Sequence, residues 1–114
     1  MAPGITVIEG TTVVTLPRRF DTDSAPAVEK ELQPVLEQHP ERLLFDFSGT
    51  DYISSAGMRV LVKTMHDVAT WSGTMAFSAL NEHVEYIFGI AGFQKIFTIY
   101  KTREKALKHL SQKT

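Results

Sequence analysis

A chain of 114 residues, 43% hydrophobic and 22% charged, has the balance of one ordinary folded domain spanning residues 1–114, which excludes a separate catalytic domain and a disordered chain. Its 12 Lys and Arg against 13 Asp and Glu leave a net charge of -1, with no basic stripe for nucleic acid. The absence of cysteine excludes disulfides, thiolate zinc sites and a cysteine nucleophile.

Met1-Ala2-Pro3-Gly4 carries no basic segment leading into an apolar stretch. No apolar run reaches the roughly 20 residues needed to cross a bilayer, so a soluble cytoplasmic protein without a membrane partner is expected.

Ile5 to Ile8 and Thr12 to Leu16 are β-rich runs on either side of Glu9-Gly10-Thr11, a hairpin pattern that Pro17 ends. Asp23 or Ser24 can cap a first helix whose apolar positions are Val28, Leu32, Val35 and Leu36, with Pro26 tolerated in its first turn. Pro34 predicts a kink or an early end, because an interior proline removes a hydrogen bond at a cost of about 3 kcal/mol. After Pro40, the nearly continuous apolar run Leu43-Leu44-Phe45-Asp46-Phe47 reads as a strand buried on both faces and paired in parallel.

Met58, Leu61, Val62, Met65 and Ala69 place one stripe of a second helix against the sheet, and Gly73 closes that helix. A strand from Met75 to Leu80 leads to a helix capped by Asn81, with Val84, Ile87, Phe88 and Ala91 on one face and Gly92 as its stop. Ile96 to Tyr100 is a further strand, and Thr102 can cap a last helix carrying Ala106, Leu107 and Leu110. The order β-β-α-β-α-β-α-β-α specifies an α/β fold, a mixed but mainly parallel sheet with an N-terminal hairpin, covered by about four helices. Trp71 and the methionines fall mostly on apolar faces and read as core or interface rather than a cofactor site.

The segment Asp51-Tyr52-Ile53-Ser54-Ser55-Ala56-Gly57-Met58-Arg59 joins a buried strand to the start of an amphipathic helix. Unpaired N–H groups and the helix dipole make such a start receptive to an anion. A phosphate on Ser55 would add about -1.5 to -2 charges there without breaking the fold. The plainer reading is that Ser54 and Ser55 only cap the helix.

The element order, the strand Leu43 to Phe47 and the loop Ser-Ser-Ala-Gly-Met-Arg-Val-Leu together resemble the STAS domain of anti-sigma factor antagonists, over nearly the whole chain. In that family the loop usually reads Asp-Ser-Ser-Gly or Asp-Ser-Thr-Gly, phosphorylated on the serine after the aspartate. Alignment on Gly57 puts the acceptor at Ser55, the aspartate at Ser54 and the following Ser/Thr at Ala56. The lost aspartate removes a negative charge beside the acceptor and leaves Ser54 as a rival target. Asp21 stands where the family carries an acidic residue after its second strand, although it also reads as a turn residue.

The resemblance implies a cytoplasmic, non-enzymatic switch without a cofactor, and nothing in the sequence pattern demands more than a monomer. Its unphosphorylated form binds an anti-sigma factor that is a serine kinase of the histidine-kinase-like ATPase type and so releases a sigma factor. Phosphorylation breaks that contact, and a serine phosphatase restores it. The implied docking surface comprises Asp21, Ser54, Ser55, Ala56, Gly57, Arg59, Lys63 and His66.

The main alternative is an interaction module of the same fold that does not switch, within a transporter or a larger signalling assembly. Catalysis by Ser55 lacks a Gly-x-Ser-x-Gly elbow and an evident base, and a phospho-aspartate receiver at Asp46 lacks the acidic pair for Mg²⁺. His39, His66, His83 and His109 show no metal-binding spacing.

Overall fold

Glu9 and Gly10 take positive φ, 50° and 81°, as the tightest hairpin turns require. The chain therefore folds back at once: β1 (Gly4–Ile8) lies antiparallel on β2 (Thr11–Thr15), with Ile5 opposite Val14 and Val7 opposite Thr12. The computed structural model describes residues 4–112; residues 1–3, read above for a leader, and residues 113–114 lie outside them.

Within the described residues, β4 (Arg42–Asp46), β6 (Thr74–Ser78) and β7 (Thr98–Tyr100) continue the sheet in parallel, in the order β1-β2-β4-β6-β7. Crossovers containing α1 (Ala25–Glu37), α2 (Ser55–Thr70) and α3 (Glu82–Ala91) separate the parallel strands, and α4 (Arg103–Ser111) follows the last. The expected architecture is thus present. Two short strands unannounced by the pattern, β3 (Arg19–Phe20) and β5 (Tyr52–Ile53), form a second, parallel pair. Two residues are too few to show a periodicity.

The inner strands are apolar on both faces because helices cover both. Val14, Leu43, Phe45 and Phe77 join a core with Val28 and Leu32 of α1, Val60 and Leu61 of α2, and Val84 and Phe88 of α3. Val13, Leu44 and Ala76 point the other way, against Ala106 and Leu110 of α4. Edge-to-face contacts run from Phe47 to Phe77 (5.6 Å), Phe77 to Phe88 (5.4 Å) and Phe88 to Phe93 (5.1 Å), the arrangement that ring quadrupoles favour. They fix α3 over the sheet.

Several local expectations need correction. Neither Asp23 nor a Ser24 side chain caps α1 in the expected way; Asp21 and Ser24 cap reciprocally. The Asp21 Oδ1 accepts from the Ser24 N–H (3.2 Å) while Ser24 Oγ accepts from the Asp21 N–H (3.0 Å). Helix α1 also does not end at Pro34 but runs to Glu37. Pro34 and Lys30 are both exposed, so water can serve the carbonyl that the proline leaves without a donor, while buried Val28 and Leu32 hold the helix on the sheet.

The buried stripe of α2 is Gly57, Val60, Leu61, Thr64 and Val68; Met58, Val62 and Met65 lie half-buried at its edge and Ala69 is exposed. Thr64 masks the pattern, because its hydroxyl donates to the Val60 carbonyl (2.8 Å) and so a polar residue sits in the core face. At the end of α2 the left-handed residue is Ser72 (φ 58°), not Gly73. Asn81, Gly92 and Thr102 act as expected: the two side chains cap α3 and α4, and Gly92 ends α3 in the left-handed region (φ 75°). The strand expected from Ile96 to Tyr100 starts two residues later, at Thr98: Ile96 and Phe97 follow a 3-10 turn at Phe93–Lys95 and precede β7.

Candidate functional site: the serine turn at the start of α2

The β3–β5 pair builds the turn. Arg19 lies opposite Tyr52 and Phe20 opposite Ile53, so the next residues, Asp21 and Ser54, emerge at the same end of the pair. The Ser54 N–H extends the pairing by donating to the Phe20 carbonyl (2.9 Å). Ser54 itself has extended backbone (φ -102°, ψ 175°) and is the N-cap of α2: its Oγ accepts from the Gly57 N–H at 3.4 Å, and its carbonyl accepts from the Met58 N–H at 3.0 Å.

Gly57 explains why the helix can begin so close to β3. A Cβ at this position would stand 2.6 Å from the Phe20 carbonyl oxygen and 3.0 Å from Ile53 Cγ1, so only glycine fits. Gly57 is buried and offers a partner no side chain, which sets it apart from the rest of the expected docking surface.

The two serines consequently differ. Ser54 is half-buried with its hydroxyl engaged in the cap, whereas Ser55 is the first helical residue and is exposed. Ala56 is half-buried beside it. Ser55, Arg59 and His66, at spacings of four and seven, share an exposed side of α2. Lys63 turns toward α1, where its Nζ meets Glu29 Oε2 at 2.9 Å; that hydrogen bond raises the lysine pKa above its ordinary value.

Asp21 is 20% exposed and shaped by its cap. The Ser24 N–H foremost favours its carboxylate; desolvation opposes this, and the Asp23 N–H and the Arg19 guanidinium (3.4 Å) add to the lowering, so that its pKa lies below the ordinary value. Its visible work is structural.

Four contacts around the turn went unnoticed in the sequence. The Arg19 guanidinium lies 4.6 Å from the centre of the Tyr52 ring, and His83 of α3 stacks on the same ring at 5.2 Å. The Asn81 side-chain amide donates to the Asp51 carbonyl (3.1 Å), tying the start of α3 to the loop, while Asp51 pairs with Arg18 at 2.6 Å. These residues are distant in sequence and share no motif, so only the β3–β5 pairing and the placement of α3 bring them together.

Among the described residues no three His, Asp or Glu side chains gather as a metal site. A cleft of about 660 Å³ lies between α1 and α2, lined by Leu32, Leu36, Val60, Lys63 and Trp71 among others; neither Ser54 nor Ser55 borders it. No described helix is long and apolar enough to cross a membrane.

The STAS domain, as a family, matches residues 2–106. The chain belongs to the STAS family. It is 31% identical over 99 residues to BtrV of Bordetella bronchiseptica, assigned as an anti-sigma factor antagonist, covering 87% of this chain and 85% of the relative. A STAS domain protein from Planctomyces limnophilus superposes with a TM-score of 0.90 at 15% identity, over 98% of this chain and all of that one (100%). SpoIIAA, the Bacillus cell fate determinant and anti-sigma factor antagonist, superposes in its unphosphorylated form with a TM-score of 0.83 at 16% identity, covering 96% of each chain. At these identities the two structures establish the STAS fold, with its mixed, mostly parallel sheet and four helices.

Proposed function

We propose that this STAS protein is a cytoplasmic anti-sigma factor antagonist that works by partner switching. Unphosphorylated, it binds an anti-sigma factor that is also a serine kinase of the histidine-kinase-like ATPase type, displacing the sigma factor. The kinase transfers the γ-phosphoryl group of ATP to Ser55 Oγ; the hydroxyl proton leaves and ADP is released. A serine phosphatase returns the hydroxyl by hydrolysis, giving inorganic phosphate.

The observation that carries this reading is the division of labour between the two serines. Ser54 holds the helix cap, and Ser55 presents a free, exposed hydroxyl at the first position of α2. A phosphate on Ser55 therefore leaves the cap in place and alters only the surface. The 31% identity to BtrV supports the partner class.

The docking surface on this reading is Ser54, Ser55, Ala56, Arg59 and His66, flanked by Asp21 and Lys63, on a single-domain monomer. A dianion at its centre would have to be stripped of water and would lie near the nucleotide phosphates of the kinase, so binding is lost. The test is incubation with ATP and each candidate kinase of that class from the same genome, followed by phosphosite mapping. Phosphate on Ser55 is expected; a chain left unmodified, or modified only at Ser54, sinks the assignment.

A further inference from the structure

The structure assigns Arg59 a role beyond docking: we propose that it is the internal counter-ion of phosphorylated Ser55. The proposal rests on the reading that Ser55 is the phosphate acceptor, and it specifies how the phosphate is held and why the surface changes sign.

Ser55 and Arg59 are four residues apart on α2, both exposed, which places their Cβ atoms about 6 Å apart on one helix face. The acidic group lies N-terminal to the basic one, the better of the two orientations for such a pair. Guanidinium presents paired donors that match two phosphate oxygens.

The other basic groups around the turn are already engaged. Arg18 is held by Asp51, Arg19 by Asp21 and the Tyr52 ring, and Lys63 by Glu29, while His83 lies against Tyr52. Arg59 has no carboxylate partner among the described residues. Asp21, the acidic group that emerges beside Ser54, repels a phosphate whether or not Arg59 is present, so it does not mask the effect of changing Arg59.

Pairing makes the switch a reversal rather than an addition. Before phosphorylation the Ser55–Arg59 patch carries about +1, available to a partner carboxylate; afterwards it carries about -1, with the guanidinium turned to the phosphate. The partner loses an attractive group and meets a repulsive one in a single event.

Phosphoserine incorporated at position 55 during synthesis allows a direct test by following the ³¹P resonance against pH in the full chain, in Arg59→Gln and in Arg59→Lys. A cation beside the phosphate favours its dianion. The second ionisation is therefore expected roughly half a pH unit lower in the parent than in Arg59→Gln, with Arg59→Lys between them. The difference should shrink in about 1 M salt, where the screening length falls to about 3 Å. Phosphoserine at position 54, off the i, i+4 register with Arg59, should show a smaller effect of Arg59→Gln. Superimposed titrations at position 55, or a difference indifferent to salt, overturn the pairing. No kinase takes part, so failure here leaves the switch intact, and failure of enzymatic phosphorylation leaves this result standing.

Discussion

Gly57 has no room for a methyl group. The Phe20 carbonyl it faces is backbone, already accepting from Ser54, and cannot move aside as a flexible side chain would. Gly57→Ala should therefore separate α2 from β3, costing about 1–3 kcal/mol and lowering the melting temperature by several degrees in a thermal denaturation. Asp21 yields a pH dependence. Its folded carboxyl titrates below the ordinary value of 3.8, so the stability it contributes is fully present above about pH 4 and is lost as pH falls through the lowered value. Asp21→Asn keeps an acceptor for the Ser24 N–H but removes the charge. Its acid unfolding curve should be flatter than the parent's below about pH 4, with the curves running parallel above.

At the level of elements, a long amphipathic pattern and a strong cap were legible in advance, and the two-residue strands were not. Helices α3 and α4 announced themselves through Asn81, Gly92 and Thr102, since capping is decided by a few neighbouring residues. Helix α1 was readable in its start region and misleading at Pro34, because the cost of an interior proline depends on whether the freed carbonyl meets water, which tertiary placement decides. Pro34→Ala should restore that hydrogen bond and raise stability by up to about 2 kcal/mol, seen as a higher denaturant midpoint with unchanged slope. The stripe of α2 was placed only in part, for a related reason: Leu61 is core and Met58, Val62 and Met65 pack at its edge, but Ala69 is exposed and Thr64, which satisfies its hydroxyl within its own helix, passes as core.

For the whole molecule, contacts from distant elements converge on the serine turn. Aromatic packing seats α3, Asn81 ties α3 to the loop, and the β3–β5 pair aligns Asp21 with the start of α2. A charge on Ser55 enters this assembly from outside. Ser55→Glu should accordingly leave the melting temperature within about 2 °C of the parent while weakening anti-sigma factor binding at least tenfold by calorimetry, and Ser55→Ala should bind in the presence of kinase and ATP. Unfolding of Ser55→Glu would instead make the serine structural.

The turn that opens α2, the alternation of strands and helices and the family likeness could all be taken from the sequence, because each depends on residues adjacent or periodic along the chain. What the sequence left open was how differently Ser54 and Ser55 are placed. That difference follows from the Phe20 carbonyl, which lies over Gly57 and accepts from Ser54, so that the Ser54 hydroxyl is engaged in the cap and Ser55 is exposed. Contacts between positions more than thirty residues apart carry no local signature, and the packing of β3 against the start of α2 is what made the two serines unequal.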